Sequence, residues 1–196
     1  SRSSAASDVY KRQVLNDGYY DDAVEKLGDH TPSGGLRGGK YSLFEAGTKV
    51  PFISYWRGKI NPGVSNELIS QVDLLNSISS IIGSEFKSND GIDLSDLLLR
   101  NKGKGRDHLV VEASTRTAFR KGDWVIIPPY DAPALNKNVN IELGNSNNFQ
   151  LYNLEDDPSQ KNNLAKIEKE KLKEIYNEFL KIRGDNFSNI ESLILE

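Results

Sequence analysis

The chain has no cysteine among its 196 residues, which excludes a disulfide, a thiolate metal site and a thiol nucleophile. Histidine is nearly as scarce: only His30 and His108 occur, too few for a histidine-rich metal cluster. No apolar run approaches the ~18 residues that a membrane span needs, and the first residues lack the apolar core of a signal peptide. Neither sign of charge dominates. With 25 basic and 28 acidic side chains, the net charge of -3 points to neither nucleic acid nor an anionic membrane as a partner. What remains, 37% hydrophobic and 27% charged, suits one globular domain or part of a larger one.

The first residues are of a different kind from the rest. Ser3-Ser4-Ala5-Ala6-Ser7-Asp8-Val9-Tyr10-Lys11-Arg12-Gln13 reads as the in-frame translation of a transposase-type sequencing adapter. Residues 1–13 are therefore expected to be an artefact, with the biological sequence beginning near Val14 and the chain a C-terminal fragment. The other reading is an authentic serine-rich terminus. From Val14 to Pro32 there is little periodicity, and the segment reads as loop with one helical turn near Asp22 to Leu27. Asp17, Asp21 and Asp22 lack EF-hand spacing and read as solvated loop acids rather than a Ca²⁺ loop.

Chemistry concentrates in Leu36-Arg37-Gly38-Gly39-Lys40, followed by an apolar run that ends near Trp56. Paired glycines let the backbone approach a ligand with no Cβ in the way. A lysine after them is a mobile point charge with three donors, suited to a tetrahedral oxyanion such as sulfate or phosphate. The bland alternative is a surface Gly-Gly turn with Lys40 as one more solvated lysine, since short glycine-rich motifs match by chance. Val50 to Trp56 reads as a short buried strand, with Pro51 marking its start or an edge.

Downstream, Glu67 to Ile82 has apolar residues at helical spacing, with Gly83 placed as a C-terminal cap and Asp73 beside the stripe. Asp73 is expected to be structural, satisfying backbone donors of a neighbouring loop. Ile92 to Leu99 predicts a short helix capped by Asp93 or Ser95. Asn101 to Arg106 reads as a basic, flexible linker; it lacks the strand-loop-helix frame of a phosphate loop. Strand patterns follow at His108 to Glu112, Thr115 to Arg120 and Asp123 to Ile127, an antiparallel meander stopped by Pro128-Pro129. The Asn-rich loop 136–148 precedes a last strand, Gln150 to Leu154. Leu164 to Arg183 predicts the strongest helix, with Glu168–Lys171 and Glu178–Lys181 pairs on its wet face. Asp185 to Glu196 is expected to add one apolar turn.

The run from Leu36 to Lys40, with Phe44-Glu45-Ala46-Gly47-Thr48-Lys49-Val50-Pro51-Phe52-Ile53 and Trp56-Arg57-Gly58-Lys59-Ile60, resembles the second signature region of the sulfatases. Ala46, Lys49 and Arg57 depart mildly from that pattern. Leu151-Tyr152-Asn153-Leu154, Asp157-Pro158 and Asn163-Leu164 resemble the family's closing sheet strand and the turn after it. The resemblance implies an α/β fold: residues 14–105 as the C-terminal part of an alkaline-phosphatase-like α/β/α domain, and 106–196 as a small antiparallel sheet-and-helix subdomain. It implies that Lys40 contacts the substrate's sulfate, and makes His30 a candidate donor to a sugar hydroxyl or the ester oxygen, against the plainer reading of an exposed loop histidine. Arg37 is expected to be structural rather than to steer anions. Tyr130 and the Asn-rich loop are candidates to border a sugar subsite, against a solvated insertion.

The implied reaction is hydrolysis of a sulfate ester of a glycan or aryl compound, using formylglycine and Ca²⁺. The formylglycine motif and the metal ligands are expected upstream of this chain, which is accordingly expected to be inactive alone and to need the missing part of its own domain as partner. A phosphoester hydrolase of the same superfamily and a non-catalytic sulfate- or carbohydrate-binding module remain open. A periplasmic or secreted location is suggested by the family alone.

Overall fold

The computed structural model describes residues 33–113, 115–137 and 141–183; the expected artefact at 1–13, the helical turn at 22–27, His30 and the tail from Asp185 lie outside them. At its centre is a four-stranded antiparallel sheet of order β1-β2-β3-β6, made by β1 (His108–Ala113), β2 (Arg116–Lys121), β3 (Trp124–Ile127) and β6 (Gln150–Asn153). The strands lie within a residue or so of where the sequence predicts them, because each is a short, largely apolar run closed by a turn, and β2, β3 and β6 are buried on both faces. The β2–β3 connection is a two-residue hairpin: Lys121 pairs with Trp124, and Gly122 takes φ +55. Within the loop before β6, β4 (Leu135–Asn136) and β5 (Ile141–Glu142) form a small hairpin that the Asn-rich composition did not announce.

Each face of the sheet buries a different element. On one, Phe119, Ile126 and Leu151, aligned across β2, β3 and β6, pack with Ala165 and with Ile175 and Phe179 of α4 (Lys169–Arg183). On the other, Ala118, Val125, Ile127 and Tyr152 pack with Leu43 and Phe44, just before the short helix α1 (Glu45–Thr48). The glycine-lysine loop is thus seated on the sheet's second face. Helix α4 starts later than its sequence pattern suggests: residues 165–167 form a turn outside the helix, and Ile167 is exposed. Asn163 explains the delay, because its Oδ1 accepts the N–H groups of both Leu151 and Ala165 and ties the segment to β6. The expected surface ion pairs are replaced by others, Lys171 with Glu174 and Lys121 of β2 with Glu178.

The helix predicted from Glu67 forms only as α2 (Asp73–Ile81). Its C-terminal signal holds: Gly83 takes φ +72, and the Ser84 N–H donates to Ser79 O while Gly83 N–H donates to Ser80 O. Its packing is the reverse of what an apolar stripe suggests. Asp73, Asn76, Ser77 and Ser79 are buried, whereas Val72, Leu75, Ile78 and Ile82 are exposed. The buried polar groups are satisfied. Asn76 bonds Ser88 and Gly91, and Ser77 Oγ accepts the Leu94 N–H ahead of α3 (Ser95–Arg100). The N-cap position falls on Leu94, which makes no side-chain cap, so neither Asp93 nor Ser95 occupies it; Asp93, one residue earlier, accepts the Ser95 N–H through Oδ1.

Asp73 satisfies backbone donors as expected, taking the N–H groups of Ser70 and Ile92. It also holds Arg106 through both its oxygens, with Nη2–Oδ1 at 2.5 Å and Nε–Oδ2 at 2.8 Å. The segment 101–106 is therefore not a free linker. Gly105 N–H donates to Glu67 Oε2 and Arg106 N–H to Leu68 O, fastening both ends of the sequence 67–106 together. A second correction concerns Val50 to Trp56, which is irregular and exposed rather than a buried strand. Among the described residues no strand pairs with it, so its backbone has no ladder to join.

Candidate functional site

The loop that presents Lys40 is shaped by three glycines with measurable reasons to be glycine. Gly38 takes φ +85, and a Cβ there would stand 2.3 Å from Ser42 Oγ. At Gly39 a Cβ would press on Ile141 at 3.1 Å, and at Gly47 it would meet Ser42 O at 2.1 Å. The backbone closes on itself between them: Ser42 N–H donates to Gly39 O, Ala46 N–H to Arg37 O and Gly47 N–H to Phe44 O. Tyr41 also sits in the left-handed region, at φ +72, an uncommon place for an aromatic residue. Lys40, half-buried at the apex, has its Nζ 5.5 Å from the centre of the Tyr41 ring. The ring face is a cation platform that holds the ammonium without neutralising it.

Four attachments tie this loop to the sheet. Arg37 forks onto Glu142, with Nε–Oε2 at 2.7 Å and Nη2–Oε1 at 2.9 Å, and donates to Gln160 O at 2.7 Å. Its plane also stacks over Phe44, 4.1 Å from the ring centre. The hydrogen bonds with Glu142 raise the arginine above its ordinary range and hold the carboxylate below its own. Arg37 is structural, as expected. Gln160, fully buried, accepts the Glu45 N–H through Oε1 at 2.7 Å, and Glu45 in turn meets Arg120 at 3.2 Å. Leu43 N–H donates to Leu143 O. Lastly, Arg116 Nη2 donates to Tyr41 O at 2.8 Å, one residue from Lys40.

Arg116, Gln160 and Glu142 are the contributors that sequence reasoning missed. Each lies 70 or more positions from the loop, and nothing in its local pattern announces the contact. Of the two expected site residues, Lys40 is on the loop apex and His30 lies outside the described residues, so their separation is not defined. Tyr130, expected beside a sugar subsite, hydrogen-bonds Thr115 Oγ1 at 2.8 Å on the rim of a cavity that Leu43 and Arg116 also line. Among the described residues, no group of three or more acids or histidines is placed to hold a metal ion.

A sequence profile described as Sulfatase matches residues 16–84. The N-acetylgalactosamine-6-O-sulfatase of Bacteroides thetaiotaomicron is 41% identical over 166 residues, 83% of this chain and 32% of that protein. Human arylsulfatase A is 44% identical over 69 residues, 34% of this chain and 14% of its own. Among solved structures, one from work on metabolism of multiple glycosaminoglycans by B. thetaiotaomicron superposes at TM-score 0.79 and 38% identity, covering 87% of this chain and 36% of that one. A Pseudoalteromonas sulfatase superposes at 0.60 with 27% identity, over 76% of this chain and 32% of its own. The chain thus spans about a third of the length of the relatives that it matches most fully.

Proposed function

The chain belongs to the sulfatase family, and from that premise we propose that it supplies the sulfate-gripping lysine of an enzyme that hydrolyses a sulfate ester on a glycan. The observation that carries this reading is the loop itself: a glycine-shaped apex, fixed by Arg37 and Arg116, that offers one lysine on an aromatic platform. An ammonium so placed counters charge on a sulfate oxygen and on the leaving oxygen as the ester bond breaks. The glycan follows from the relatives, among them enzymes named for N-acetylgalactosamine-6-sulfate and for ulvan. His30 is the proposed donor to the sugar or the ester oxygen.

In domain terms, residues 14–105 are the closing part of an alkaline-phosphatase-like α/β/α domain, and 106–196 its antiparallel subdomain. The family's Ca²⁺ and formylglycine do not fit the residues present. The described acids form no metal cluster, and the sequence contains neither cysteine nor a Ser-x-Pro-x-Arg motif. The partner proposed for catalysis is a polypeptide equivalent to the two-thirds of the relatives that this chain does not span.

Two assays test the reading. The purified chain alone is expected to leave an aryl sulfate untouched, and turnover would overturn the division of labour. Restored by the complementary polypeptide, the enzyme is expected to lose at least a hundredfold in kcat/KM on Lys40→Ala, about 3 kcal/mol of transition-state stabilisation. A change of less than threefold would remove Lys40 from the site.

A further inference from the structure

Beside the lysine loop lies a second place suited to negative charge. Arg116 opens β2 and is almost wholly buried, yet all its partners are neutral: Ala113 O, Leu143 O, Asn145 Oδ1 and Tyr41 O, at 2.8–3.1 Å. Among the described residues no carboxylate pairs with it. Burial consequently pulls its pKa below the ordinary guanidinium value, the sign of a cation short of counter-charge. Carbonyl dipoles hold the guanidinium in place but leave its net charge intact.

That charge borders a cavity of about 260 Å³. Thr115, Thr117, Tyr130 and Arg183 share its wall with Arg116, and Pro128 and Pro129 form an apolar side. Thr115 Oγ1 and Tyr130 OH are 2.8 Å apart, and Arg183 Nη1 donates to Thr117 Oγ1 at 2.6 Å. Among the described residues the lining contains two guanidinium groups, four hydroxyl-bearing side chains and no acid, with Phe179 adding to the apolar side. Leu43 closes the wall nearest the lysine loop, and Arg116 reaches Tyr41 O from the same side.

We propose that this cavity is an anion subsite, taking an acidic group on the sugar next to the sulfate held by Lys40. The inference rests on the reading of Lys40 as a sulfate ligand. The substrate would then be a polyanionic glycan rather than a singly sulfated one, and the enzyme would select for charge at two neighbouring residues. Four of the five N–H groups of Arg116 are taken by its neutral partners, so it offers an anion its charge and one remaining Nη2 N–H, which suit carboxylate and sulfate alike. Hydroxyls complete the lining without adding charge of the wrong sign.

Three probes separate the two anion sites: a sulfated monosaccharide, a uronate-containing disaccharide carrying the same sulfate, and that disaccharide with its carboxylate reduced to an alcohol. A disulfated disaccharide distinguishes sulfate from carboxylate as the preferred group. Binding to the chain in complex with the complementary polypeptide is measured by calorimetry. The uronate or disulfated probe is expected to bind at least tenfold more tightly than the reduced one. That preference should fall at least fivefold in Arg116→Gln and threefold in Tyr130→Phe, and be kept in part by Arg116→Lys. Tyr130 is on the surface, so its variant keeps the test open if Arg116→Gln fails to fold. Equal binding of charged and reduced probes, or an unchanged preference in folded Tyr130→Phe, would overturn the subsite. Failure of the Lys40 reading looks different: Lys40→Ala would leave binding of the sulfated monosaccharide unchanged.

Discussion

Asp73 is the residue on which residues 67–106 converge, through Arg106 and the N–H groups of Ser70 and Ile92. Burial pushes its carboxyl up, but the Arg106 hydrogen bonds and the two backbone donors together bring it below the ordinary value. A lowered folded-state pKa contributes stability that is complete above the unfolded value, ~3.9, and is lost as pH falls through the folded one. Chemical denaturation should therefore show stability level above about pH 5 and falling below about pH 4. Asp73→Asn should cost about 3 kcal/mol at pH 7, as expected when one partner of a buried pair is removed, and should flatten the acid limb. An unchanged midpoint would deny Asp73 this role. Its duty toward backbone donors was legible, since an acid beside an apolar stripe must find partners. Arg106 was not, because a glycine-rich basic run looks the same in sequence whether it is loose or bound.

Among the elements, α4 and α2 make opposite use of similar patterns. In α4 the apolar positions Ile175 and Phe179 are buried against Phe119, Ile126 and Leu151. Phe179→Ala should therefore destabilise by about 3–4 kcal/mol. Ile182→Ala, at a position 45% exposed, should cost well under half of that. Thermal unfolding of the two variants decides it, and equal losses would mean that α4 packs differently. Strands β1 to β3 were readable because each pairs with its neighbour in sequence, and β6 and α4 because their apolar residues meet the sheet. The strand expected at Val50 to Trp56 and the stripe of α2 were misread for a shared reason. Periodicity reports where apolar groups are, and is silent on what covers them. The shape of the lysine loop was readable at Gly38 and Gly39, whose conformational freedom is local, and unreadable at Glu142, Gln160 and Arg116, whose contribution is made by the fold.

Taken whole, the described residues leave many large apolar side chains open: Ile53, Tyr55, Val64 and Ile82 are each more than 70% exposed, with Phe52, Trp56, Leu75 and Ile78 about half so. A surface this apolar seeks a cover. The chain alone should bind a hydrophobic dye and self-associate at micromolar concentration, and both behaviours should vanish in complex with the complementary polypeptide. A monodisperse monomer that ignores the dye would refute this. The seating of the lysine loop has a further consequence, in time rather than space. Arg37 is fastened to Glu142 and Gln160, partners 105 and 123 positions later in the chain. At about 5–20 residues per second on the ribosome, the loop precedes its last anchor by roughly 6–25 s. Through that interval the nascent loop has its glycines and its lysine but no fixed shape. Its fixed shape is a late acquisition of synthesis, completed only when Gln160 has left the exit tunnel.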